Sequence, residues 1–408
     1  MDFSVKQIKA REILNSGGNP TVEVELKNGS GIFLASTPSG VSTGKYEAVE
    51  LRDADGKGVK EAIKNIEKII APALEKEDLN DQKRIDEILI KLDGTKNKSR
   101  LGANAILPVS MAVCRAGAAA NNVPLHRYIS EIAGMTIKEM PKPSFNMIEG
   151  GRHTSLMVSG QASPAFQEFM AVPKGQSFKE NLETGKEVYE KLKEILKKKF
   201  KEIKLSTEGA FTAPLSVEKS LDFLCQAGGS NIEIALDAAA SSFYNNGLYK
   251  LGNKNISREK LSELYQYIIL HYPVISVEDP FFEEDFGQTL ALTDRFSVIF
   301  GDDLLASNVE RMKMAKEKNA CNGLILKPNQ IGTISETIAA AKLAKSYGWK
   351  IMVSNRAGET KDSFIADLAA GIGADFIKSG APFPEERMAK YDRLVKIEEE
   401  LAVLKTVK

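Results

Sequence analysis

Histidine is scarce in this chain of 408 residues: three occur, at positions 126, 153 and 271. A His-rich zinc or iron centre is therefore not expected. A metal here should be a hard cation on oxygen ligands, which favours Mg²⁺. Cysteine is as rare. Cys114, Cys225 and Cys321 are odd in number, far apart and in no CxxC arrangement, which fits buried free thiols in a reducing cytosol rather than a disulfide framework. Neither sign of charge is in excess. Lys plus Arg and Asp plus Glu each total 55, so no net field favours nucleic acid or an anionic membrane. The basic run LKKKFKEIK reads as the solvated face of a helix. The opening MDFSVKQIKARE lacks the apolar core of a signal peptide. The longest apolar-looking stretch, Ala103 to Ala120, is interrupted by Pro108 and Arg115 and reads as a close-packed helix too short to span a bilayer. A cytoplasmic protein without nucleic-acid or membrane partners is the expectation.

What remains is an ordinary globular composition, 43% hydrophobic, long enough for two domains or a large α/β barrel with an extra module. TVEVELKNG and SGIFLAS alternate apolar and polar residues around Asn28-Gly29, predicting a β-hairpin. Helical patterns follow over Val59–Ile70, Asp81–Leu92 and Ala103–Ala119. Strands first and helices afterwards predict a small α+β domain over residues 1–135. Pro141 and Pro143 mark the boundary of a second unit, 140–408. There strands near Ser144–Ile148 and Phe166–Val172 precede a long helix, Phe178–Lys199. Further β-runs end at Asp237, Glu278, Asp302, Lys327, Ser354 and Lys378, with helices such as Ile331–Tyr347 and Lys361–Ile372 between. The supply of βα units predicts an eight-stranded barrel; an open doubly wound sheet is the alternative.

Where those strands stop is informative. NIEIALD ends at Asp237, VISVED at Glu278 and Asp279, SVIFGDD at Asp302 and Asp303, and GLILK at Lys327. An apolar strand that stops on an acid risks burying an unpaired carboxylate, at several kcal/mol. Side chains at the C-terminal ends of parallel strands share one mouth, so Asp237, Glu278 and Asp302 could ligate one hard cation. Capping of the following helices is the bland reading. Lys327 and Lys378 (in ADFIK) could be salt-bridge partners or a base. Desolvation and a like-charged neighbour would lower a lysine's pKa toward working pH. A bound acid losing its α-proton would be stabilised by the cation. Eliminating a β-hydroxyl then needs an acid. Glu208, in the Gly/Pro-containing loop LSTEGAFTAP, is a candidate, although alone it reads as a solvent-exposed glutamate.

AREILNSGGNPTVEVEL, PSGVSTGKYEAVELRD, LGANAIL, FQEFMAVP, IALDAAASSFY, VEDPFFEED, GDDLLASN, LILKPNQIGT, GETKDSFIADLAAG and IKSGAP, in that order over nearly the whole chain, resemble the enolase (phosphopyruvate hydratase) family. The resemblance implies an N-terminal α+β lid domain and a C-terminal barrel of the β₂α₂(βα)₆ kind. It implies Asp237, Glu278 and Asp302 as Mg²⁺ ligands and Ser42, in a mobile loop, as helping to bind a second Mg²⁺. Lys327 would be the base and Glu208 the acid. Lys378 would pair with the substrate carboxylate and Arg356, between Ser354, Asn355 and Ala357, with its phosphate. His153 and Glu168 would line the leaving-group side. A glycolytic and gluconeogenic lyase, homodimeric, is implied.

Several segments depart from the family. Its Ser-His-Arg-Ser reads Ser354-Asn355-Arg356-Ala357, its Gly-Asp-Glu-Gly-Gly reads Ser206-Thr207-Glu208-Gly209-Ala210, and its Asp-Ser-Arg-Gly-Asn-Pro reads Asn15-Ser16-Gly17-Gly18-Asn19-Pro20. The segment around His153 is longer and places Arg152 before the histidine. The metal, base and acid positions are spared. Three readings follow: dehydration of 2-phosphoglycerate, a lyase or isomerase acting on another α-substituted carboxylic acid, and a binding protein that has lost catalysis.

Overall fold

The computed structural model describes residues 4–40, 44–151, 165–286, 292 and 298–406. Strands Gln7–Leu14, Pro20–Lys27 and Ile32–Ser36 form an antiparallel meander. Val22, Val24 and Leu26 are fully buried while Glu23 and Glu25 between them are half-buried, the period-two pattern of a strand with one face on a core. The hairpin turns at Asn28, whose Oδ1 accepts from the N–H groups of Ser30 and Gly31 at 2.7 and 3.1 Å. Gln7–Leu14 escapes a sequence reading because most of its residues are exposed and leave no apolar stripe.

Helix Gln82–Asp93 starts at Asp81, which accepts from the Arg84 N–H at 3.0 Å, and stops at Gly94 in the left-handed conformation. The helix expected over Val59–Ile70 runs as Lys60–Asn65, a π-turn Ile66–Ile70 and Ala71–Leu74. Helix Ala103–Ala120 corrects one expectation: by length and composition it could cross a membrane. Most of it is instead buried against the meander. Its Arg115 reaches out to Asp362 at 2.6 Å, tying this helix to the second unit. A short helix, Leu125–Ala133, follows it.

Beyond Pro141 eight strands form a ring: Lys142–Glu149, Glu168–Pro173, Ile232–Asp237, Val274–Glu278, Val298–Gly301, Gly323–Leu326, Lys350–Ser354 and Phe376–Lys378. The last pairs with the first, Phe376 with Lys142 and Lys378 with Ser144. That closure makes the sheet a barrel and removes the open doubly wound alternative. Glu168–Pro173 is antiparallel to both neighbours and the other ring pairs are parallel. Two strands, two helices (Phe178–Lys199, Val217–Gly228) and then strand–helix units give the enolase-type α/β barrel order.

Alternation along these strands builds the site. Met170, Val172, Ala235, Val298, Phe300, Ile325, Met352 and Phe376 form their own apolar cluster inside the ring. Leu236, Ile299, Leu324, Val353 and Ile377 belong to the outer core with the helices. Because strand side chains alternate, the residue two beyond each interior one emerges at the rim. Ala235 thus leads to Asp237, Phe300 to Asp302, Ile325 to Lys327, Met352 to Ser354 and Phe376 to Lys378. Glu168–Pro173 runs the other way, so its first residue, Glu168, reaches the same rim beside Asp237.

Candidate active site

At this rim lies a cavity of about 380 Å³, lined by barrel residues and by Gly44, Lys45 and Glu47 of the N-terminal part. Its described lining carries eight carboxylates (Glu47, Glu168, Glu208, Asp237, Asp279, Glu283, Asp302, Asp303) against four cationic side chains (Lys45, Lys327, Arg356, Lys378). Glu278 lies just behind, 1% exposed. Such an excess of buried negative charge calls for further cations or protons.

Lys378 is the hub of the wall around Glu278. Its Nζ donates to Glu278 Oε2 at 2.7 Å, Glu168 Oε2 at 3.3 Å and Asp237 Oδ2 at 3.5 Å. Burial works against the ammonium, but the three carboxylates hold its pKa well above the ordinary lysine value. Lys327 Nζ donates to Asp302 Oδ2, and Gln330 Nε2 donates to Asp302 Oδ1 at 2.8 Å. Here the geometry corrects an expectation. Burial does push the Lys327 pKa down, and so do Lys378 and Arg356, but the adjacent Asp302 carboxylate outweighs them and the net shift is upward. For Asp302 burial is likewise outweighed, by Lys327 and Lys378, and its pKa falls.

Asp279 has a different task. Its Oδ1 accepts from the N–H groups of Asp302 and Leu304 at 3.0 and 3.4 Å, and its Oδ2 from that of Asp303 at 2.6 Å. It props the turn that presents Asp302, from a backbone at φ +42°.

Donor oxygens of Glu278, Asp279 and Asp302 lie within 4.8 Å of one another. Asp237, expected in that trio, joins it through Lys378, because the ammonium sits between the carboxylates. Asp237 Oδ1 accepts from the Ala239 N–H at 2.9 Å and its Oδ2 from Gln167 Nε2 at 3.1 Å. Glu278 Oε1 is buried and has no hydrogen-bond partner among the described residues. An all-oxygen donor set with one orphaned carboxylate oxygen fits a hard divalent cation; these residues could hold a metal ion.

A second acidic group, Glu149, Glu168 and Glu208, is buried within the same mutual spacing. Glu149 escaped the sequence reading although its strand, SFNMIE, ends on an acid as the others do. Glu208 is 3% exposed, not the solvent-facing glutamate its loop suggests. Gly209, next to it, adopts φ +82°, and a Cβ there would lie 2.4 Å from Pro384 Cγ. Gly209→Ala is therefore expected to lower stability by about 1–3 kcal/mol and to displace Glu208; denaturant unfolding checks the first and loss of activity the second.

Asn355 Nδ2 donates to Glu208 Oε1 at 3.1 Å. Arg356 donates through Nη1 to Glu47 Oε2 at 2.7 Å and to Asn329 Oδ1 at 3.0 Å, and through Nη2 to Glu47 Oε1 at 3.3 Å. Ser354, Asn355, Arg356, Glu168, Glu208, Asp237, Glu278, Asp302, Lys327 and Lys378 are thus brought together. Ser42, Arg152 and His153 lie outside the described residues. Glu47, Gln167 and Gln330 carried no sequence signal, because they reach the site from outside the strands, the first two from loops and Gln330 from a short 3₁₀ turn.

Burial, chiefly, pushes the Glu168 carboxyl up to about 7, and burial with Asp302 does the same to Asp303. A carboxyl raised in the folded state binds its proton more tightly there, so its contribution to stability falls as pH rises from the unfolded value through about 7. In chelator, Glu168→Gln should match wild type near pH 4.5 and become progressively more stable than it up to pH about 7. Unfolding midpoints across that range test the sign.

The closed β₂α₂(βα)₆ barrel, capped by an α+β module and carrying acids and lysines at one rim, defines a barrel enzyme of the lyase type. Residues 5–129 match the enolase N-terminal domain and residues 137–407 the enolase C-terminal TIM barrel domain. The chain belongs to the enolase family, whose members act on small carboxylate substrates.

Proposed function

We propose that this protein catalyses the reversible, Mg²⁺-dependent dehydration of 2-phosphoglycerate to phosphoenolpyruvate. The observation that carries the reading is the convergence of Lys327 and Glu208 on one acid-lined cavity. Asp237, Glu278 and Asp302 would hold the cation, with Ser42 serving a second one. A cation there supplies positive charge against the substrate carboxylate as the α-carbon loses its proton. Lys327 Nζ would take that proton as the neutral amine, after its pair with Asp302 loosens and the ammonium gives one proton to water. Lys378 pairs with the substrate carboxylate, and Glu208 protonates the departing β-hydroxyl. Arg356 meets the phosphate, Ser354 and Asn355 flank it, and Glu168 with His153 lines the leaving-group side.

We place the protein in the cytoplasm, in glycolysis and gluconeogenesis, as a homodimer without nucleic-acid or membrane partners. The exposed Ile32 and Leu34, on the solvent face of the N-terminal meander opposite Val22, Val24 and Leu26, support a self-association surface. The test is a coupled assay at saturating Mg²⁺; absence of turnover in both directions ends the reading.

A second reading keeps the proton abstraction and changes the acid. Both Arg356 terminal nitrogens are bonded to Glu47, so a phosphate meets a guanidinium already matched to a carboxylate. Ala357, beside it in the cavity lining, offers no hydroxyl. These features favour a smaller or less charged 2-substituent. Screening α-hydroxy and α-phospho acids for Mg²⁺-dependent solvent deuterium uptake separates the two readings; exchange confined to 2-phosphoglycerate removes the second.

A further inference from the structure

We propose that Asn355 is a positioning residue for Glu208, holding one carboxylate oxygen as an acceptor so that the proton given to the leaving hydroxyl rides on the other. The inference rests on the reading of Glu208 as the acid. Asn355 Nδ2 lies 3.1 Å from Glu208 Oε1 and 3.1 Å from the Arg356 carbonyl oxygen. A backbone carbonyl can only accept, so the side-chain atom facing both must be the amide nitrogen. One hydrogen goes to each. Oε1 of Glu208 therefore accepts a hydrogen bond, which favours it as the carbonyl oxygen of the carboxyl group and Oε2 as the protonation site.

The surroundings explain why such an anchor is needed. Glu149 and Glu168 present carboxylate oxygens within 4.8 Å of those of Glu208. A freely turning Glu208 carboxyl could share its proton with either of them instead of with substrate. An amide does not titrate, so Asn355 sets orientation without adding a competing acid or base.

The backbone on both sides is also pinned. Arg387, fully buried, donates to the carbonyl oxygens of Arg356 at 2.8 Å, Ala357 at 2.7 Å and Thr207 at 3.2 Å. The loop carrying Asn355 and the loop carrying Glu208 are thereby stapled to one another, and a short side-chain contact between them keeps one geometry.

The experiment compares wild type, Asn355→Ala, the near-isosteric Asn355→Asp and Asn355→His with 2-phosphoglycerate and Mg²⁺ in D₂O. Phosphoenolpyruvate formation and deuterium at C2 of recovered substrate are both measured. Loss of a hydrogen bond to a carboxyl that becomes a carboxylate as it gives up its proton should lower kcat for dehydration by about 10–100-fold in the Ala and Asp variants. The ratio of C2 exchange to dehydration should rise, because abstraction by Lys327 precedes the step that needs Glu208. Asn355→His, which again presents an N–H, should recover most of the loss. Crystal structures of the Ala and Asp variants should show the Glu208 carboxyl turned from its wild-type orientation. Equal loss of exchange and dehydration, or a Glu208 carboxyl that has not moved, overturns the proposal. If wild type neither exchanges nor dehydrates 2-phosphoglycerate, the functional reading fails, and the orientation of Glu208 in the variants decides the positioning role alone.

Discussion

Lys327→Ala is expected to lower kcat by about 10²–10⁴-fold, the range for removing a positioned general base, while leaving the barrel folded. Lys327 ends the apolar strand Gly323–Leu326, two residues beyond the interior Ile325, so its direction is set by the strand and not by its own ion pair. What the variant removes is the proton acceptor. It also removes the cation beside Asp302, leaving that carboxylate with Gln330 Nε2 at 2.8 Å. Since an ammonium and a divalent cation compete for the same oxygen, Mg²⁺ affinity should be unchanged or tighter in Lys327→Ala. Lys327→Arg separates charge from proton transfer. A guanidinium preserves the pair with Asp302 but stays protonated at any working pH, so this variant should be as inactive as the alanine. Both should lose C2 deuterium exchange together with dehydration, unlike the Asn355 variants. Steady-state assays and calorimetric Mg²⁺ titration check these outcomes. An active Lys327→Arg would remove Lys327 as the base.

Much of this site is written in the sequence because a barrel strand has only two faces. Once Ala235, Phe300, Ile325, Met352 and Phe376 face inward, Asp237, Asp302, Lys327, Ser354 and Lys378 must face the mouth. That is why the strand-end rule works there; Glu149 by contrast is in step with Phe145 and Met147 of the outer core, and the irregular register between Asn146 and Ile148 re-aims it, which alternation alone does not show. It fails where the chain leaves the strands. Glu47 reaches Arg356 from 309 residues away, and Gln330 reaches Asp302 from a short 3₁₀ turn. Arg387 acts from the helix Glu385–Thr406 on backbone carbonyls, a contact no side-chain pattern encodes. The direction of the Lys327 pKa shift was misread for a related reason. Burial and a second lysine are legible as an apolar strand and a nearby Lys378, but whether a carboxylate stands closer than either depends on the register between neighbouring strands. Here Asp302 does.

Removing Lys378 should produce the largest stability change of any single substitution at the rim. Its ammonium is the shared partner of Glu168, Asp237 and Glu278, all under 5% exposed. Breaking a buried pair from one side costs about 3–5 kcal/mol, because the remaining charge has neither water nor a counterion. Three carboxylates facing one another cannot all stay ionised. Burial and Asp237 already carry the Glu278 pKa well above the ordinary value, against the opposing pull of Lys378, and Glu168 is already at about 7. Without the lysine both move further up. Folding then takes up protons, so the deficit of Lys378→Ala in chelator should be small near pH 5 and grow through pH 7 to 8. Mg²⁺ should restore part of it, since a ligand at 100 times its Kd stabilises by about 2.7 kcal/mol and the vacated space lies between the same oxygens. Lys378→Met, which fills the space without charge, should behave like alanine at high pH and nearly like wild type at low pH. Thermal unfolding at pH 5 and pH 8, with chelator and with Mg²⁺, reads all of this. Equal midpoints for Lys378→Ala and wild type at pH 8 in chelator would mean that these acids are neutralised by something other than Lys378.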